Sequence, residues 1–449
     1  MKRSSDAAPL LFFPFLHLKL EGIVKGIHLI STDWTRSDLE QETNRIFDIC
    51  DGCRRCFNLC PSFNTLLDRI DEYQSDISKI TAADYEQVEK ECYYCKLCFN
   101  HCPYTPPHEY EIDFPRLMAA WKKQRVQEQG ASWRDRLLIK TDLIGRLGGM
   151  TASLTNWALS TPWLRGLIET MIGLHRERQV LFFSKESFPQ WWRKRTATTS
   201  QSSAARKVVL FPSCMVNYQA TDIGKATVQV LEKNGVEVVV PEGQRCCSMP
   251  SFDIGDTDTM VQTAQHHLKI FQPYLEQGYD LVVPTPSCSL MFKREYPYLV
   301  SSPAMTKLAE RTFDICEYLM FLKKDGTLSL EFTQTKQRIA YQVPCHLRDQ
   351  NIGFKSKELM ELTGAQVELI EKCSGHDGSW GAKTEFFDLS MKIAKKAVRP
   401  ILNSEPNLVA SDCPLSALQL DQAGATPPSI KSPTQHPIQI VRDAYGLPS

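Results

Sequence analysis

The sequence lacks net charge. Its 449 residues carry 52 Lys+Arg and 52 Asp+Glu. A chain with no basic excess is a poor general nucleic-acid binder, so no nucleic-acid partner is expected. It lacks a long apolar run: no stretch of about 18 consecutive apolar residues occurs, so no segment reads as a membrane-spanning helix. Its N-terminus reads as a poor secretory signal. The apolar run from Leu10 to Leu18 is broken by Pro14 and His17, and no small-residue cleavage site follows. A cytoplasmic protein is expected. It also lacks the glycine-rich loops that hold nucleotides. No GxGxxG follows a strand pattern, no P-loop occurs, and Gly145-Arg146-Leu147-Gly148-Gly149 sits in a helical stretch. With no flavin or nicotinamide site visible, hydride transfer from a substrate falls to another polypeptide, and a flavoprotein or other redox protein is the expected partner.

Cysteine, by contrast, is abundant. Of 16 cysteines, eight lie between Cys50 and Cys102 and eight are spread from Cys214 to Cys413. A disulfide scaffold would be short and secreted. In a reducing cytoplasm this many thiols predicts metal binding. At 42% hydrophobic and 23% charged the chain can bury a core, and its length suggests about three domains.

The dense cysteines form two runs, Cys50-x2-Cys53-x2-Cys56-x3-Cys60-Pro61 and Cys92-x2-Cys95-x2-Cys98-x3-Cys102-Pro103. Three thiolates within seven residues wrap three corners of an iron-sulfur cube. In two-cluster ferredoxins the fourth cysteine of each run serves the other cluster. That predicts one [4Fe-4S] cluster on Cys50, Cys53, Cys56 and Cys102, and a second on Cys92, Cys95, Cys98 and Cys60. Structural zinc prefers two CxxC pairs and leaves the third cysteine and the CP unexplained. Arg54, Arg55 and Lys96 read as solvated neighbours, and His101 and Tyr104 as packing residues.

The scattered cysteines sit in a repeat. The strand pattern Val208–Phe211 runs into Pro212-Ser213-Cys214, as Ile339–Val343 runs into Pro344-Cys345. Leu281–Val283 leads to Ser287-Cys288, as Leu408–Ala410 leads to Asp412-Cys413. The offsets are 131 and 125 residues, which predicts a duplicated α/β unit. The first copy holds Cys214, the pair Cys246-Cys247, and Cys288. The second holds Cys345, Cys373 and Cys413. Cys316 has no counterpart and reads as a buried core thiol.

The ferredoxin-type runs, a helical spacer and two C…CC…C units together resemble the iron-sulfur proteins related to the B and C subunits of heterodisulfide reductase. The layout is similar to the C subunit of anaerobic glycerol-3-phosphate dehydrogenase. The resemblance covers about residues 41 to 445. It implies cysteine-rich domains that ligate a further iron-sulfur centre or zinc on Cys214, Cys246, Cys247 and Cys288, and on Cys345, Cys373 and Cys413. Two departures stand out. Ser248 follows the cysteine pair where the family usually has glycine, and Ser374 replaces the second cysteine of the second pair. Serine is a poor ligand for soft metals. His346 and His376 are supplementary candidates, and Gly375, Gly378, Gly381 and Trp380 are expected to shape a tight loop. Unit one also lacks the CxxC near Cys288 that heterodisulfide-cleaving members carry.

The expected fold is mixed α+β and α/β: an N-terminal extension (1–40), a helical two-cluster ferredoxin domain (41–125), an amphipathic helical spacer and linker (126–205), and two cysteine-rich α/β repeats (206–325 and 326–449). In the spacer, Trp133, Leu137, Ile144 and Leu147 recur at helical spacing, so one face is apolar. Trp191-Trp192 beside Arg193-Lys194-Arg195 has the composition of an interfacial anchor. The alternative is a helix packed on its neighbour with a solvated basic end. The segment Ile438–Tyr445 reads as a short docking helix. The function expected is an electron-transfer subunit with no flavin of its own, passing electrons between a flavoprotein and quinone or another acceptor, peripheral to the inner face of the membrane if anchored. The alternative is a heterodisulfide reductase-like catalytic subunit that works at the first repeat.

Overall fold

The computed structural model describes residues 34–195, 206–333, 336–427 and 429–449. The apolar segment 10–30 and the Ser/Thr-rich linker 196–203 lie outside the described residues.

Five helices surround the dense cysteines: α1 (Arg36–Cys53), α2 (Pro61–Glu72), α3 (Ala82–Glu91), α4 (Leu97–His101) and α5 (Phe114–Gln129). Their starts follow from local chemistry. Thr35 and Asp38 form a capping box at α1, and Thr81 and Asp84 form another at α3. Pro61 opens α2, where its missing N–H costs nothing. Leu39, Ile46 and Phe47 turn inward from α1. They meet Phe63 and Phe114, whose ring centroids are 4.3 Å apart. This core is continuous with that of the first repeat, through Tyr94 edge-on to Phe252 at 4.2 Å. Helix α5 runs through residue 125 and ends at Gln129.

The spacer is helical: α6 (Trp133–Leu138), α7 (Thr141–Met150), α8 (Ala152–Ser160), α9 (Pro162–Ile172) and α10 (Phe188–Lys194). Its apolar stripe, however, faces outward. Trp133 is 62% exposed, Leu154 63%, Trp163 68% and Met150 75%. Gly145 and Gly148 face inward instead, where a Cβ would lie 2.2 Å from Tyr218 and 2.5 Å from Phe183. The small residues let α7 approach its neighbours, and the large ones are left to the surface. The two tryptophans of α10 behave oppositely. Trp191 and Trp192 pack with Phe188 on the first repeat. Arg195 stacks on both rings and pairs with Glu232 at 2.6 Å. This packing is that of the docked alternative.

The first repeat is a parallel sheet of β1 (Arg206–Leu210), β2 (Val236–Val239), β3 (Asp280–Val283) and β4 (Thr312–Asp314), in order β2-β1-β3-β4. Its helices are α11 (Ser213–Tyr218), α12 (Thr221–Lys233), α13 (Met249–Ile254), α14 (Thr257–Glu276), α15 (Pro286–Leu290), α16 (Tyr296–Leu299), α17 (Pro303–Glu310) and α18 (Ile315–Lys324). The second repeat has β5 (Arg338–Gln342), β6 (Gln366–Ile370) and β7 (Leu408–Ala410) in order β6-β5-β7, all parallel. Its helices are α19 (Cys345–Arg348), α20 (Lys355–Leu362), α21 (Phe387–Asn403), α22 (Pro414–Ala423) and α23 (Pro437–Ala444). The first strand of each unit is central, with the second and third strands on either side. The duplication read from the cysteine spacing is therefore a duplication of topology. The units also exchange helices. α18 of the first packs on α20 of the second, and α23 of the second packs on α12 of the first.

Candidate metal centres

In an open parallel sheet, ligands bind beyond the carboxyl ends of the strands, where the strand order reverses. The cysteines of the repeats follow that rule. Cys214, Cys246-Cys247 and Cys288 come after β1, β2 and β3, and Cys345, Cys373 and Cys413 after β5, β6 and β7. Each set converges because its three strands are adjacent in the sheet.

In the first repeat the sulfurs of Cys247 and Cys288 are 3.1 Å apart. Cys246 bridges Cys214 and Cys247, and their donated hydrogen bonds hold its thiol well below the ordinary value. Ser248, directly after the pair, adopts a left-handed conformation, φ 63°. That is where the resemblance led one to expect glycine. Asp142 of α7 accepts the Cys246 N–H at 2.5 Å. Burial first, then the neighbouring Cys246, raise the Asp142 carboxyl to about 6. No motif marked Asp142, because a distance of 104 residues separates it from Cys246.

In the second repeat, Cys345, Cys373 and Cys413 line one pocket with His376, and Cys95 of the ferredoxin-type module enters the same pocket. The His376 Nε2 lies 3.6 Å from the Cys413 sulfur. His346 lines the pocket too, but its Nδ1 accepts from Ser287 Oγ at 2.8 Å and its Nε2 donates to the Tyr94 carbonyl at 3.0 Å. Both nitrogens are engaged, so His346 is a bridging residue and not a supplementary ligand. Ser374 is not among the partners of Cys373. Cys345, first, and then the Tyr93 hydroxyl at 3.4 Å donate to Cys373 and hold its thiol down at about 7. The expected tight loop is present. A Cβ on Gly375 would lie 2.6 Å from the Ser390 carbonyl, and one on Gly381 would lie 2.5 Å from that of His376. Trp380 packs on Tyr93 at 4.6 Å and donates to the Lys90 carbonyl at 3.0 Å.

The dense cysteines gather in two fours. Cys50, Cys53, Cys56 and Cys102 line one apolar-walled pocket with Ile49, Phe63 and Leu67. Cys60 lies beside Cys92 and Cys95, and Cys98 beside Cys95, Cys60 and Cys92. Each run thus lends its fourth cysteine to the other. The residues after the second cysteine of each run, Arg54 and Lys96, both adopt left-handed conformations, φ 50° and 59°. Burial is the main force raising the Cys56 and Cys92 thiols to about 12, and it raises the Cys50, Cys60 and Cys98 thiols as well. Thiols so placed ionise only against a bound cation. All 16 cysteines are free of disulfides. Eight soft donors gathered in two groups of four fit iron-sulfur ligation.

One neighbour is not where the sequence put it. Arg54 is solvated, but Lys96 is 5% exposed. It pairs with Glu295 of the first repeat at 2.7 Å and with Asp349 of the second at 2.9 Å. Burial disfavours its charge, yet the two carboxylates hold the ammonium above its ordinary value. One lysine beside Cys95 therefore ties three modules together.

Comparison with known proteins agrees with this geometry. Residues 208–293 and 339–421 match the family described as a cysteine-rich domain. Residues 43–128 match the Fer4-like domain of citrate utilization protein B. The C subunit of anaerobic glycerol-3-phosphate dehydrogenase from Escherichia coli (strain K12) is 24% identical over 318 residues, 70% of this chain and 78% of its own length. Lactate utilization protein A of Bacillus pumilus (strain SAFR-032) is 29% identical over 218 residues, 46% of this chain and 87% of its own length. The chain thus carries a Fer4-like domain followed by two cysteine-rich domains, and is homologous to the C subunit of anaerobic glycerol-3-phosphate dehydrogenase and to lactate utilization protein A.

Proposed function

We propose that the chain is the iron-sulfur electron-transfer subunit of an oxidoreductase complex. It takes electrons from a flavoprotein partner and passes them to quinone or another acceptor. When bound, two [4Fe-4S] clusters supply one-electron storage, on Cys50, Cys53, Cys56 and Cys102 and on Cys60, Cys92, Cys95 and Cys98. The observation that carries the reading is the continuity of sulfur through the molecule. Cys98 lies near Cys56 of the other four. Cys95 adjoins Cys345 and Cys373, and Cys413 lies near Cys288 of the first repeat. The residues around this line keep water away: Tyr93, Trp380 and Leu97 are buried along it. In the second repeat Cys345, Cys373, Cys413 and His376 offer three sulfurs and one nitrogen, a donor set suited to zinc or a small cluster. The first repeat, with four sulfurs, is suited to an iron-sulfur centre.

The outward stripe of the spacer supports contact with a membrane surface. Within residues 133–172 the exposed ionisable side chains are Arg136, Lys140 and Arg146, all cationic. They flank exposed Trp133, Leu147, Leu154, Trp157 and Trp163. Apolar rings beside cations suit an anionic lipid surface. No helix of the described residues is long and apolar enough to cross a membrane.

The test is reversible reduction. The anaerobically purified full chain is titrated with dithionite and then with ferricyanide while its visible absorbance is followed. Bleaching that returns in full over repeated cycles is expected. A chain that takes up no electrons, or loses its chromophore in one cycle, would overturn the reading.

A further inference from the structure

We propose that Asp314, Cys316 and Asp412 bind a divalent cation of the zinc class at the seam between the two cysteine-rich repeats. This site lies apart from the sulfur line, and the proposal does not depend on the electron-transfer reading. Asp314 ends β4 and Cys316 begins α18, both in the first repeat. Asp412 follows β7 in the second. All three residues are fully buried, at 0% exposure. One donor atom from each lies within 4.8 Å of the others. Cys316 is the cysteine with no counterpart in the duplication, and the fold places it between the two carboxyl groups.

The hydrogen bonding leaves room for a ligand. Asp314 Oδ1 accepts the Cys316 N–H at 2.9 Å as the cap of α18, but its Oδ2 is buried with no partner. Asp412 takes the Tyr341 hydroxyl on Oδ2 at 2.6 Å and the Ser356 hydroxyl on Oδ1 at 2.5 Å. The Cys316 thiol also hydrogen-bonds Asp412, and the Ser356 hydroxyl reaches the Cys316 sulfur, so the three donors already face one another. Among the described residues no Lys or Arg forms an ion pair with either aspartate; the nearby Lys293 is paired with Glu317. Carboxyl groups buried this deep, one of them with an unpartnered oxygen, call for a cation to compensate their charge. A thiolate beside two carboxylates disfavours magnesium and calcium, which take oxygen alone, and suits zinc. Binding would displace the thiol proton of Cys316 and any carboxyl proton. The ion would staple β4–α18 of one repeat to β7 of the other.

The test is metal analysis with zinc K-edge X-ray absorption on the anaerobically purified full chain. The expected result is a zinc whose first shell holds one sulfur, with oxygens completing it. In Asp314→Asn that signal should fall at least tenfold, with iron and sulfide unchanged. If Asp314→Asn does not fold, Cys316→Ala decides, since it leaves both carboxylates and the helix cap in place. Loss of the single sulfur from the shell supports the site. An unchanged shell overturns it. So does a native chain without zinc, or one whose zinc is bound by three sulfurs and lost in Cys373→Ala.

Discussion

Ser248 and Gly375 occupy the same place in the two repeats, two residues after Cys246 and Cys373, and both have positive φ, 63° and 76°. The fold asks for a left-handed residue there, and one repeat answers with serine. Ser248→Gly removes a left-handed cost of about 1–2 kcal/mol. The freer unfolded chain offsets part of that, so a net gain of about 0.5–1 kcal/mol is expected from denaturant midpoints. Gly375→Ala drives a Cβ against the Ser390 carbonyl and should cost about 1–3 kcal/mol. Arg54 and Lys96 make a similar pair with opposite fates. Lys96→Met leaves Asp349 buried without its cation and Glu295 with only Arg116 at 3.9 Å, and a loss of about 3–5 kcal/mol is expected. Arg54→Met severs only exposed pairs to Asp51 and Asp71, and its midpoint should stay near that of the native chain. Equal losses would show that Lys96 does not tie the modules.

At the scale of elements, the strands that precede cysteines were legible. β1, β3, β5 and β7 are short apolar runs that end in Pro, Ser or Asp beside a cysteine. β4 and β6 were not. β4 has three residues, too few for a pattern. β6 reads Gln-Val-Glu-Leu-Ile, an edge strand with Gln366 and Glu368 exposed, Val367 and Ile370 buried and Leu369 half-buried. In the spacer, helical periodicity gave the stripe correctly but not its direction, because spacing alone does not say what covers a face. The stripe supplies its own test. Leu147→Glu with Leu154→Glu and Leu167→Glu should abolish flotation with phosphatidylglycerol-containing vesicles. Trp191→Ala with Trp192→Ala should leave flotation intact and lower stability, since those rings pack on Phe188. Flotation lost only in the tryptophan variant would return the anchor to α10.

At the scale of the molecule, spacing within each cysteine run was enough to group the residues of the ferredoxin-type module, because three of every four ligands lie within seven residues. What spacing could not show is how the modules meet. Lys96, Asp142, Tyr93 and Asp349 reach partners more than 100 residues away, and no local pattern encodes such a distance. Those contacts place the second group of four beside the second repeat and turn separate sites into one line. The line has a direct test in iron and acid-labile sulfide analysis, joined to low-temperature EPR of the reduced, anaerobically purified full chain. At least about eight irons with matching sulfide, and the broadened signal of two interacting cubanes, are expected. Cys60→Ser should remove one cubane signal and the broadening, and leave the other. Zinc without sulfide in the native chain would contradict electron transfer through these cysteines.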